Sequence, residues 1–299
     1  MVQLLSIRHI ACLAACVLLA SPANAAPVET PEALSQRGAA ATTGKRIILW
    51  ETSLAPQMNS KPALKNSANL LASSTVIHSI TNWDTKRPAE LTTKLPFRPM
   101  VRTPQQLSGT EWNNLISTIS SQKNSIVHFY NEPELNGISA ADAVAKWRSS
   151  MLPLRQKYGA KLVAPGISSA PNGATWLQSF MGMLAANEKP DYLNLHFYTL
   201  QNSASTQEVQ YAKTYFTDKH NQYKLPIIVG EIASINRDGN QVVTFTKQMS
   251  SWFDGQSWIA EYGFFGVSTQ VVNSFVSPAA QMLDANGNWT PLGKWWIGK

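Results

Sequence analysis

Cysteine is nearly missing: the 299 residues hold two, Cys12 and Cys16. Both lie in an N-terminal stretch with Arg8, an apolar run from Ile10 to Ala20 and a small-residue exit, Ala23-Asn24-Ala25. That is the pattern of a secretory signal peptide over residues 1–25. A secreted protein, extracellular or in a cell wall, is therefore expected. The run falls short of the ~20 apolar residues of a membrane span, so no membrane span is expected. The mature chain would have no disulfide, no thiol nucleophile and no cysteine metal ligand. Charge is sparse as well, at 14% of residues. Lys and Arg (25) outnumber Asp and Glu (18), but the cations never cluster beyond pairs such as Lys45-Arg46 and Lys86-Arg87. Without a basic stripe, nucleic acid is a poor partner. No His-Glu-x-x-His and no Gly-x-Ser-x-Gly occurs, which argues against a zinc peptidase and a serine hydrolase of those types. No cofactor and no metal is expected.

What is present is a core. The chain is 44% hydrophobic, which excludes a disordered protein. Residues 26–45, rich in Ala, Pro, Thr and Glu, read as a linker or pro-segment. Residues 46–299 carry no internal linker and read as one domain. Strands are expected at Arg46–Trp50, Val76–Asn82, Arg98–Arg102, Ser125–Tyr130, Lys161–Ala164, Tyr192–Phe197, Pro226–Val229 and Ile259–Phe265. Helical periods lie between them, as in Trp112, Leu115, Ile116 and Ile119, or Val144, Trp147, Met151 and Leu154, or Leu177, Phe180, Met181 and Leu184. Ser108 with Glu111, Ser139 with Asp142 and Ser205 with Glu208 have the spacing of capping boxes. Eight strands at about 32 residues per unit give the rhythm of a single-domain α/β fold, the (β/α)₈ TIM barrel. An open doubly wound sheet is the alternative, disfavoured because no glycine-rich phosphate loop follows the first strand.

In a barrel, chemistry sits where strands end. Phe129-Tyr130-Asn131-Glu132-Pro133-Glu134 closes the fourth strand and Ile228-Val229-Gly230-Glu231-Ile232-Ala233 the seventh. Each sets a carboxylate at the same face of the barrel. Two facing carboxylates, Glu132 and Glu231, are what glycosidic bond cleavage requires. Glu134 is better suited to binding substrate or capping a loop. Ten tryptophans supply flat apolar faces that suit sugar rings. Trp50 and Trp83, at the ends of strands one and two, are the candidate platforms. Trp112, Trp147 and Trp176 fall on helix periods and are expected in the core.

Asn-Glu-Pro after strand four with a Glu ending strand seven resembles the clan of retaining (β/α)₈ glycosidases. Within it the chain is similar to glycoside hydrolase family 128, the fungal cell-wall β-1,3-glucanases. The resemblance spans the mature chain: Asn82-Trp83, Tyr130 to Glu134, Leu195-His196-Phe197-Tyr198, Gly230 to Ala233, Tyr262-Gly263-Phe264-Phe265-Gly266, and Leu283 to Lys294. It implies a β-1,3-glucan substrate, with Glu132 as general acid/base and Glu231 as nucleophile about 5–5.5 Å apart. Asn131 would bond the sugar 2-hydroxyl, and His196 or Tyr198 would orient Glu231. Trp50, Trp83, Tyr198, Tyr262 and Phe264 are the expected substrate-binding aromatics. Strand eight has Phe264 where the family commonly has Trp, and strand one has Leu49-Trp50-Glu51 in place of Ala-Tyr-Asn. A monomeric enzyme with endo rather than exo cleavage is expected. A non-hydrolytic glucan-binding wall protein on the same fold is the alternative, since a fold alone fixes no activity.

Overall fold

The structure is a computed structural model, and it describes residues 44–51, 61–270 and 275–299. The signal-peptide stretch and nearly all of the expected linker lie outside these residues. The strands are β1 (Arg46–Leu49), β2 (Ile77–Thr81), β3 (Met100–Val101), β4 (Ile126–Asn131), β5 (Lys161–Ile167), β6 (Tyr192–Tyr198), β7 (Ile227–Ala233) and β8 (Ile259–Phe264). All pairings are parallel, in the order β2-β1-β8-β7-β6-β5-β4-β3. The bridge between Ile80 and Phe97 brings the two edge strands together. There the Ile80 N–H bonds the Pro96 carbonyl at 2.9 Å and the Arg98 N–H bonds the Ile80 carbonyl at 2.8 Å. The eight strands form a (β/α)₈ barrel, as the spacing predicts.

Between the strands run α1 (Pro62–Ala72), α2 (Gly109–Ser120), α3 (Ala140–Lys146), α4 (Leu152–Tyr158), α5 (Pro171–Gly182), α6 (Ser205–Tyr223), α7 (Gly239–Gly255) and, at the end of the chain, α8 (Pro291–Trp296). The π-turn Trp147–Met151 joins α3 to α4. Pro153 has no N–H to continue the ladder, which accounts for the widened turn just before it. Val144, Trp147, Met151 and Leu154 are nonetheless all buried on one side. Of the three capping boxes only Ser139 forms, accepting from the Asp142 N–H at 3.0 Å. Glu111 accepts from the Thr85 hydroxyl instead (2.7 Å), and Glu208 from Ser234 (2.9 Å). The N-cap of α6 is Ala204.

Strand parity divides the core. Ile47, Leu49, Ile126, Val163 and Ile228 form a small cluster of their own. Ile48, Val127, Phe129, Leu162, Leu193, Leu195, Ile227 and Val229, of opposite parity, join the large layer shared with the helices. Polar groups are buried as well. Arg98 pairs with Glu261, which also accepts from Ser79 at 3.1 Å. Asn194 lies 3.4 Å from the ring nitrogen Nδ1 of His128. Burial first, then the Arg98 and His196 charges, push the His128 pKa down to about 3.

Candidate active site

Two bulges present the site. On β7 the register slips by one residue against both neighbours. Leu195 pairs with Val229 but His196 with Glu231, and Val229 pairs with Tyr262 but Ile232 with Phe264. The extra residue re-aims the strand. Glycine is required there, because a Cβ on Gly230 would sit 2.1 Å from the Asn194 side-chain oxygen. On β4 the pairing slips between Phe129 and Asn131. Tyr130 has φ 43° and Glu132 has φ 44°, in the left-handed region that costs non-glycine residues on the order of 1–3 kcal/mol each. Tyr130 turns into the core and stacks on Phe129, while Glu132 anchors its N–H to the Gly166 carbonyl at 2.7 Å.

Glu132, His196 and Glu231 converge, with one ligand atom from each lying within 4.8 Å of the others. The Glu132 and Glu231 carboxylates thus face each other at close range, as two acids flanking one glycosidic bond must. Glu231 is 6% exposed. One of its oxygens accepts from the Trp83 indole N–H at 2.7 Å and the other from the Tyr198 hydroxyl at 2.5 Å. His196 Nδ1 lies 3.0 Å from Glu132 Oε1 and 3.7 Å from Glu231 Oε2. Burial works against a charge on His196, but Glu231 and Glu132 outweigh it and push its pKa up to about 9. The direction of the shift favours an imidazolium between the two acids. Burial raises the pKa of Glu231, and the Glu132 charge adds to it; His196, Tyr198 and Trp83 pull the other way. The net direction is up. Both Glu231 oxygens are met by donors, which favours the ionised form. The trio is also the described group compact enough to hold a metal ion.

The expected residues divide. Glu132, Glu231, His196, Tyr198 and Trp83 come together, and Tyr198 rather than His196 bonds Glu231. Asn131 adjoins Glu132 with its side-chain oxygen buried and without a hydrogen-bond partner. Trp50, Tyr262 and Phe264 are corrected: they are sealed in the core, at 0%, 0% and 2% exposure. Trp50 shares the parity of Ile48 and donates to Glu90 at 3.0 Å. Tyr262 donates to Asp254 at 2.8 Å, and Phe264 packs on Phe245 and Trp296. The inward position on β8 belongs to Gly263, whose Cβ would meet Leu49 and Ile47. Phe265, of that parity, is the aromatic that the sequence reading missed. It is half-buried, 5.5 Å from Trp83 and 6.3 Å from Tyr198. Period-two counting from Gly263 would have found it. Trp83 itself has φ 55° and is partly a holder of Glu231, more than an open platform. Glu134 caps the loop after β5, accepting from the Ser168 N–H at 2.7 Å.

Residues 58–296 match the family model described as glycosyl hydrolase catalytic core. No curated protein matches the chain. Among solved structures, a family 128 (subgroup VI) exo-β-1,3-glucanase from Aureobasidium namibiae is 33% identical, with a TM-score of 0.77. The match covers 86% of this chain and 96% of that one. A subgroup IV endo-β-1,3-glucanase from Lentinula edodes, 22% identical, covers 85% and 99% with a TM-score of 0.68. A subgroup III curdlan-specific exo-β-1,3-glucanase from Blastomyces gilchristii, solved with glucose, is 21% identical and covers 87% and 100% with a TM-score of 0.66. The last two likenesses speak for the fold.

Proposed function

This chain belongs to glycoside hydrolase family 128, and we propose that it cleaves β-1,3-glucan by double displacement, with Glu231 as nucleophile and Glu132 as acid/base. The observation that carries the reading is the close pair of carboxylates, one of them buried and fully hydrogen-bonded. In the first step a Glu231 oxygen attacks the anomeric carbon while Glu132 gives its proton to the departing glycosidic oxygen. In the second, Glu132 takes a proton from water, whose oxygen displaces Glu231. The positive charge on His196 lies beside Glu231 and favours the ionised nucleophile, while Glu132 holds the proton it gives up. A pure binder has no use for such a pair, which speaks against the non-hydrolytic alternative. Incubation with linear β-1,3-glucan should release β-anomers first, seen by proton NMR before mutarotation. The product lengths decide between endo cleavage, which the sequence reading expects, and the exo mode in the Aureobasidium enzyme's name. No cleavage of β-1,3-glucan, or cleavage of mannan, xylan or β-1,4-glucan in its place, overturns the reading.

The acid limb of the kcat/KM profile reports ionisation of the nucleophile in the free enzyme. Tyr198 stabilises ionised Glu231, so Tyr198→Phe raises the Glu231 pKa further. The acid limb should move to higher pH, with activity lost first on the acidic side. A limb that stays in place, or moves down, shows that Glu231 does not govern it.

A further inference from the structure

A groove of about 590 Å³ lies between the segment 134–140, which follows the turn that carries Glu132, and α5. Glu134, Ile138, Ser139, Asn172, Trp176 and Ser179 are among its lining. The turn that links groove to cleft is tight: the Leu135 and Asn136 N–H groups both bond the Glu132 carbonyl, at 3.0 and 3.2 Å. Glu132 thus faces Glu231 in the cleft and Glu134, two residues on, lines the groove. The Glu134 charge is close enough to help raise the His196 pKa. Trp176, expected in the core, is only half-buried. Its N–H is fixed on the Ile138 carbonyl at 2.7 Å and its ring lies parallel to Phe180, at 5.5 Å and 11°. An indole so held is a rigid platform. Asn172, Thr175 and Ser179 stand exposed around it. One oxygen of Glu134 is buried with no hydrogen-bond partner. The lining has no lysine or arginine, which suits a neutral polyhydroxyl chain better than an acidic peptide or a nucleic acid.

We propose that this groove is a second carbohydrate-binding site, which seats the glucan chain outside the two-glutamate cleft. The proposal rests on the β-1,3-glucan reading of that cleft. The site adds affinity for polymer through effective concentration, since a chain held in the groove keeps its continuation near the acids. Short oligosaccharides, too short to fill both, gain nothing from it.

The test compares wild type with Trp176→Ala and with Ser179→Arg. The second variant fills the groove from an exposed helix position and removes no core contact. Retention on insoluble β-1,3-glucan should fall about tenfold in both. Hydrolysis of short soluble β-1,3-linked oligosaccharides should stay at the wild-type level. If Trp176→Ala melts early, Ser179→Arg decides. Unchanged retention by a variant with wild-type melting overturns the proposal. So does an equal loss on short oligosaccharides, which would make the groove part of the cleft. Failure of the wild type itself to cleave any β-1,3-glucan strikes at the parent reading and is visible before any variant is compared.

Discussion

Replacing Glu231 with Gln should lower kcat on β-1,3-glucan on the order of 10⁴-fold while leaving the melting temperature near that of wild type. The amide keeps the size of the side chain but lacks the negative oxygen that forms the glycosyl ester. Its place in the hydrogen-bond set can still be filled. The Trp83 indole only donates, so the amide oxygen must face it, and the amide nitrogen then meets the Tyr198 hydroxyl, which can turn to accept. Loss of the Glu231 charge also removes the strongest influence that raises the His196 pKa, so the imidazole should titrate well below about 9 by NMR. Turnover at the wild-type rate would take Glu231 out of the mechanism. An unmoved His196 titration would contradict the charge arrangement of the trio.

The second large effect separates two tryptophans that look alike in sequence. Trp50→Ala should cost about 3–5 kcal/mol of stability in a urea melt, the range for truncating a fully buried large aromatic. It also strips Glu90 of its indole donor. Trp83→Ala should cost far less stability, because the ring is partly exposed. It should instead lower kcat/KM about 10–100-fold, the worth of a hydrogen bond to a charged group of about 1.5–3 kcal/mol. Measuring both quantities on both variants crosses the two losses. A Trp50 variant with wild-type stability and poor binding would restore it as a sugar platform.

These two residues also mark what the sequence could and could not tell. Trp50 follows β1 by one position and Trp83 follows β2 by two, and strand ends were legible because β-rich runs alternate with helical periods at barrel spacing. The two glutamates were legible for the same reason. Which way a strand-end side chain points depends on parity and on bulges, and a bulge has no composition of its own. Counting from Ile48 would have sent Trp50 outward, and counting from Gly263 would have sent Tyr262 and Phe264 into the helix layer and Phe265 toward the cleft. The slip at Gly230 that turns Glu231 inward could not be counted, since the Asn194 side chain that packs against it lies on a different strand. The capping boxes at Ser108 and Ser205 failed for a related reason: Glu111 and Glu208 found tertiary partners in Thr85 and Ser234, and a local motif has no knowledge of a distant hydroxyl.

The contact between Gly230 and Asn194 has a consequence for how this protein can vary. Every single amino-acid replacement at Gly230 adds a Cβ where the Asn194 oxygen already lies, 2.1 Å away. Asn194 is itself almost wholly enclosed, at 1% exposure, and so has little room to swing aside. The two positions therefore form one unit of inheritance. A lineage can leave glycine at 230 only after, or together with, a shorter residue at 194. The way to a different nucleophile geometry thus begins one strand away from the nucleophile, at a residue enclosed in the core.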